Sequence, residues 1–327
     1  MSNGFWARVR PQRVGGRTQK PVRMAVRLGA LELPNPIVAA SGTYGHGDEV
    51  ARLGDPSAIG AVTTKSVSAE AWPGNPAPRV HETAAGMINS VGLQNPGVDV
   101  WREEELPPLL DRGARVIASI WGRTVDEFAR AAKGVPADRV VALEVNVSCP
   151  NLEERSEMFA HSADATARVV EAVVAEVAGL PVLAKLSPNV TDLRPIAGAA
   201  LAAGATGLTL VNTVMGMAID PETRRYRLGA GGGGLSGPAI HPVAVRAVHD
   251  VAHAHPGVPI VGTGGVASAE DAVEMMLAGA TAVGVGTATF RDPRACERIA
   301  ARLARWCRRH GVGDVNELVG AAEEGIR

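Results

Sequence analysis

Cysteine is scarce in this sequence: Cys149, Cys296 and Cys307 are the three present, and no two form a Cys-x-x-Cys pair. That spacing argues against a thiolate-held metal or cluster in this chain, so no metal site is expected. An odd number without a pattern fits a reducing compartment, and the expected location is the cytoplasm. Long apolar runs are also missing. None reaches the ~18 residues of a membrane helix, and the N-terminus lacks the apolar stretch of a signal peptide. No membrane association is expected. Net charge is equally small, at -1 over 327 residues, which argues against a general nucleic-acid binder. The exception is local. Arg8, Arg10, Arg13, Arg17, Lys20, Arg23 and Arg27 all precede Glu32, the first acidic residue. Residues 1–22 read as a disordered basic arm, with an interaction arm as the sharper alternative.

What is present is an α/β rhythm. Hydrophobic residues make up 46% of the chain, enough for one sizeable core. Two short runs, 24–28 and 31–33, flank Gly29-Ala30 and predict a small β-hairpin. Apolar, often β-branched runs then recur at 36–40, 59–64, 115–120, 141–147, 182–186, 207–211, 259–262 and 282–286. Segments with helical spacing lie between several of them, at 125–133, 164–178, 193–203, 242–254 and 269–278. Strands alternating with helices imply a parallel sheet, and eight such units imply closure into a (β/α)8 TIM barrel. The expected barrel covers 23–310, with 311–327 as a C-terminal tail. Two connections, 67–101 and 215–236, are too long for simple turns. Both leave C-terminal strand ends, where barrel active sites sit.

Polar residues gather where the runs end. Ser41 follows the first and Lys65-Ser66 the second, while Ser119 lies in the third. The fourth closes on Asn146 through Asn151, with Cys149 between them, and Lys185 lies in the fifth. Asn212-Thr213, Gly264-Gly265 and Gly286-Thr287 end the remaining three. Any single residue of this kind is ordinarily a cap or a turn. Their coincidence on one rim points to a site. Gly264, Gly265, Gly286 and Thr287 offer bare amides, the arrangement that binds phosphate; the plainer reading is a pair of tight turns. Lys65 and Lys185, at buried strand ends, need an anion or an electron-rich ring. They suit a Schiff base or a cofactor that gains negative charge, and position alone does not choose. Asn89, Asn146, Asn151 and Asn212 suit a small, polar, planar ring, with Asx-turns as the structural alternative. Cys149 is a candidate base, set against the commoner role of a small buried hydrophobe. Cys296 and Cys307 read as structural.

Several of these stretches resemble one family. Met87-Ile-Asn-Ser-Val-Gly-Leu-Gln-Asn-Pro-Gly97, Asn146-Val-Ser-Cys-Pro-Asn151 and Lys185-Leu-Ser-Pro-Asn189 are similar to class 1 dihydroorotate dehydrogenases. So are Asn212-Thr-Val-Met-Gly-Met-Ala-Ile-Asp220 and Leu235-Ser-Gly-Pro238. Gly216-Met217 and Leu93-Gln94-Asn95 look more like the NAD-linked subclass, 1B, than the fumarate-linked one. The resemblance implies FMN at the top of the barrel and oxidation of (S)-dihydroorotate to orotate in de novo pyrimidine (UMP) biosynthesis. It implies FMN contacts from Ser41, Lys65, Ser66, Ser119, Asn146, Lys185, Val211, Gly237, Gly264, Gly265, Gly286 and Thr287. For the substrate it implies Lys65, Asn89, Ser90, Val91, Gly92, Leu93, Asn146, Asn151, Asn212 and Thr213. Cys149 matches the family's catalytic base, where the membrane-linked class 2 has serine.

The resemblance further implies a homodimer joined in a heterotetramer to a partner subunit that carries FAD and a 2Fe-2S cluster. Two positions depart from the family pattern. Arg155 and Ser156 stand where a pair of glycines is usual in the lid, so the lid backbone has less freedom. Ser119 stands where an asparagine usually meets the flavin, and its hydroxyl reaches less far. These departures keep two other readings open: a flavin barrel acting on another cyclic amide or pyrimidine, and an FMN-binding paralogue without catalysis.

Overall fold

The computed structural model describes residues 21–148, 158–177 and 179–322. The chain enters as an antiparallel hairpin of β1 (Val26–Leu28) and β2 (Leu31–Leu33). Strands β3 (Ile37–Ala39) and β4 (Ala61–Thr63) begin the barrel. A first excursion carries β5 (Val80–Thr83) and β6 (Gly86–Asn89). The barrel resumes with β7 (Val116–Ile120), β8 (Ala142–Asn146), β9 (Val182–Leu186) and β10 (Gly207–Leu210). A second excursion holds β11 (Val214–Met217), β12 (Ile219–Asp220), β13 (Arg225–Tyr226) and β14 (Gly232–Ser236). Strands β15 (Ile260–Thr263) and β16 (Ala282–Val285) complete the ring. All eight barrel strands run parallel to their neighbours, and β16 pairs with β3 to close it. The eight expected runs are these strands, and the architecture is a (β/α)8 barrel with the N-terminal hairpin beside it.

Burial on both faces explains why the runs lack polar alternation: every residue of β7, β8 and β9 is buried. Helices cover the outside, and local chemistry sets where they start. Thr124 accepts a hydrogen bond from the Glu127 amide to open the helix Val125–Gly134. Ser162 does the same through Ala165 for Ala163–Glu176. Ser268 and Asp271 form a capping box for Ala269–Leu277. That last cap, Ser268, stands three residues after Gly265. Phe128 and Phe159 meet edge to face, ring centroids 5.5 Å apart, and both are fully buried. Burying one such ring contributes roughly 2–3 kcal/mol.

The two long segments are not irregular loops. They meet in an antiparallel sheet of order β11-β14-β6-β5, joining strands far apart in sequence. Val211, Asn212 and Thr213 connect β10 directly to β11, so this sheet stands on the C-terminal rim. After His310 the chain turns back onto the body. Val315 and Leu318 are buried, Asn316 donates to the Ala25 carbonyl, and the Gly320 amide donates to Met276. Among the described residues no helix is long and apolar enough to cross a membrane. Among them, too, no cluster of three or more His, Cys, Asp or Glu could hold a metal ion.

Candidate active site

One arc of the rim is a chain of buried polar side chains. The Ser41 hydroxyl donates to the Thr64 carbonyl at 2.8 Å and lies 3.4 Å from Ser66 Oγ. Ser66 Oγ is 2.9 Å from Ser119 Oγ, and Ser119 donates to Glu144 Oε1 at 3.2 Å. Each hydroxyl has a single proton. With the Ser119 proton committed to the carboxylate, Ser66 must donate to Ser119, so this pair points to Glu144, while the Ser41 proton goes to Thr64. The Lys185 ammonium sits 3.7 Å from the same carboxylate oxygen. Ser66, Ser119, Glu144 and Lys185 are all buried. A second branch runs through Asn146, which donates to Ser66 at 3.4 Å and accepts from Asn212 Nδ2 at 3.2 Å. Asn212 Oδ1 in turn accepts the Thr213 amide at 2.9 Å. Strand pairing produces this convergence: Asn146 lies beside Lys185 in the β8–β9 register, and Glu144 is two residues before Asn146, hence on the same face.

Lys65 closes the arc toward the excursion sheet. Its ammonium donates to the Gln94 carbonyl, at the end of the stretch Asn89–Leu93. Burial, reinforced by the Arg79 cation, brings the Lys65 ammonium down to about 8, with Glu49 opposing. Burial and then Lys65 push nearby His46 down to about 4, so this imidazole is neutral at pH 7. The 89–93 stretch is held from several sides. Asn89 donates to the Gly234 carbonyl of β14, and Ser90 Oγ accepts from Asn75. Val91 accepts the Asn75 amide, and Gly92 accepts Trp72 Nε1. Leu93 adopts a φ of 59°, unusual for a side chain this large, and its carbonyl accepts from Asn95.

The opposite arc is bare backbone. Gly265 has a φ of 72°, and a Cβ there would stand 2.7 Å from His241 Cβ. At Gly264 a Cβ would stand 2.5 Å from Ala244 Cβ, and at Gly237 2.7 Å from Gly86 Cα. His241 fixes this wall through the Gly264 carbonyl at 2.9 Å. Thr287 donates to Ser236 Oγ at 2.8 Å, tying the end of β16 to β14. Gly286 is different: the nearest atoms to its would-be Cβ are 3.7 Å away. Val211, buried, joins the arcs by donating its amide to the Thr263 carbonyl. A cavity of about 1310 Å³ opens here, lined by Gly237, Gly265, Thr287, Gly86 and Met87 among others. Such a volume exceeds the usual ~300–1,000 Å³ of a small-molecule site.

The rim therefore brings together Ser41, Ser66, Ser119, Asn146, Lys185, Asn212 and Thr213 on one side. Gly237, Gly264, Gly265, Gly286 and Thr287 gather on the other, and Lys65 with Asn89–Leu93 lies between them and the sheet. Cys149, Asn151, Arg155 and Ser156 lie outside the described residues. Cys296 and Cys307 are free and buried, and burial pushes the Cys296 thiol up to about 12, as suits structural residues. Sequence reasoning passed over Glu144, and also Asn189, which donates to the Thr213 carbonyl and accepts the Met215 amide. The missed signal for Glu144 was its two-residue spacing from Asn146 inside an otherwise apolar strand.

A family model described as dihydroorotate dehydrogenase matches residues 23–306. The chain belongs to the dihydroorotate dehydrogenase family. It is 50% identical over 304 residues to "Dihydroorotate dehydrogenase B (NAD(+)), catalytic subunit" of Desulforudis audaxviator (strain MP104C), covering 92% of this chain and 98% of that one. The protein of the same name from Geobacillus kaustophilus (strain HTA426) is 46% identical over 299 residues, 91% of this chain and 95% of its own. That of Alkaliphilus metalliredigens (strain QYMF) is 45% identical over 300 residues, 92% and 99% respectively. Both arcs of the rim fall within the span matched by the dihydroorotate dehydrogenase family.

Proposed function

We propose that this chain is the catalytic subunit of an NAD-linked dihydroorotate dehydrogenase: it binds FMN and oxidises (S)-dihydroorotate to orotate. The observation that carries this reading is a large cavity against the glycine wall, with the polar arc on the same barrel rim, in a chain of this family. Gly264, Gly265, Gly286 and Thr287 suit the flavin phosphate, because backbone amides approach an anion closely only where no Cβ intervenes. The buried hydroxyls of Thr209 and Thr263, on β10 and β15, have no partner within the protein, which fits a polar ligand over the barrel. Ser41, Ser66, Ser119, Asn146, Val211 and Lys185 would hold the ring system, and Gly237 would let the β14 end pass close to it. When bound, the flavin would supply the two-electron redox chemistry of the oxidation.

The residues of the chain do the rest. Lys65, Asn89 through Leu93, Asn146, Asn151, Asn212 and Thr213 would fix the ring and its carboxylate. Cys149 would take the proton from C5. Electrons would leave through a partner subunit carrying FAD and a 2Fe-2S cluster, with NAD as acceptor. A homodimer within a heterotetramer, working in the cytoplasm, completes the proposal. Large apolar side chains at Met215, Met217, Ile219 and Tyr226 are each more than half exposed within residues 215–226, which supports an assembly. Purified protein is expected to release FMN on denaturation. Cys149→Ala is expected to keep that FMN and to lose dihydroorotate turnover by about 10²-fold or more. Turnover near wild type would remove Cys149 from the role of base.

A further inference from the structure

Glu144 is the one acidic residue of a strand that is otherwise apolar apart from Asn146, and it is almost wholly buried. A carboxylate in that position is costly unless it is paired and hydrogen-bonded. It has both kinds of partner: the Ser119 hydroxyl at 3.2 Å and the Lys185 ammonium at 3.7 Å. Lys185 is equally buried. Among the described residues Glu144 supplies the carboxylate within ion-pair distance of it.

We propose that Glu144 is a positioning residue for the flavin end of the site, acting through Lys185 and the Ser119–Ser66 pair. The inference rests on the reading that this chain binds FMN. The carboxylate does two things. It fixes the ammonium at one place on the rim, against β8. It also shares the positive charge of Lys185, so that only part of this charge acts on the cofactor. The hydroxyl run pointing toward Glu144 orients Ser66 as well, so one buried charge sets the direction of the Ser66–Ser119 pair. In this account Glu144 decides how strongly the site favours the reduced, more negative form of the flavin over the oxidised form.

The test is a redox titration of the purified holoenzyme and of Glu144→Gln, each alone and in a Lys185→Met background. Glutamine keeps the shape and removes the charge. At the wild-type midpoint, Glu144→Gln is expected to raise the ratio of reduced to oxidised flavin by about tenfold, the scale of one charge-assisted contact. In the Lys185→Met background the same substitution is expected to change the ratio by less than about twofold. An unchanged ratio in Glu144→Gln, a fall, or an equal change in both backgrounds overturns the proposal. Thermal melts read the pairing without the flavin. The double variant, lacking both charges, is expected to melt above either single variant, and a double variant that melts no higher than both also overturns it. Wild-type protein that holds no flavin would defeat the proposed function itself and this inference with it.

Discussion

The two arcs of the rim solve the same problem by opposite means. From β3 round to β10 the strand ends present side chains, and Ser41, Ser66, Ser119, Glu144, Asn146 and Lys185 find partners on other strands of the barrel. From β15 to β16 they present glycine, and what is exposed is backbone amide. The first arc depends on charges and hydroxyls being in register; the second depends on Cβ atoms being absent. Substitutions should therefore fail in different ways. On the first arc they should strand a partner. On the second they should create a clash where space is short and do little where it is not.

Lys185→Met is expected to have the largest effect. It leaves Glu144 buried without its cation and should cost about 3 kcal/mol or more in a denaturant melt. A cost below about 1 kcal/mol would mean that the first arc is held by packing and not by charge. Gly265→Ala comes next, at about 1–3 kcal/mol, because it combines a φ of 72° with a Cβ only 2.7 Å from His241 Cβ. FMN content should fall with it. Lys65 gives a smaller and pH-dependent effect. Burial holds this ammonium at about 8, so it is charged below that pH and loses its charge above it. Orotate, an anion, should bind evenly below about pH 8 and weaken above it, by up to about tenfold per pH unit. In Lys65→Gln the weak affinity should be flat with pH; a flat wild-type profile would exclude Lys65 as the anion's partner. Gly286→Ala is expected to be nearly silent in stability, within about 0.5 kcal/mol, since nothing lies within 3.7 Å of the added methyl. Equal melts for the two glycine variants would break the distinction between close approach and mere proximity.

The contrast between arcs also explains what could be read from the chain alone. Glycines after β15 and β16 stood out because no other residue serves a close backbone approach, so the second arc was visible as sequence. The barrel strands were visible for a similar reason: burial on both faces leaves uninterrupted runs, and their polar endings marked the rim. Ser41, Ser66, Ser119, Asn146 and Lys185 could be placed on that rim, but their bonds to one another could not, because those depend on strand register. Glu144 was lost for the same cause. Within 141–147 it looks like an interruption of an apolar run, and only the Lys185 beside it on β9 makes it a counter-ion. The excursion sheet was hidden more deeply. Its strands β6 and β14 pair Asn89 with Gly234, and neither segment alternates cleanly enough to announce a partner so far along the chain.

An anaerobic absorbance titration of the purified protein with dihydroorotate tests the central claim most directly. The account predicts a visible flavin band that bleaches as dihydroorotate is added, with orotate formed in equal amount. A flavin band that persists unchanged through excess dihydroorotate would contradict it.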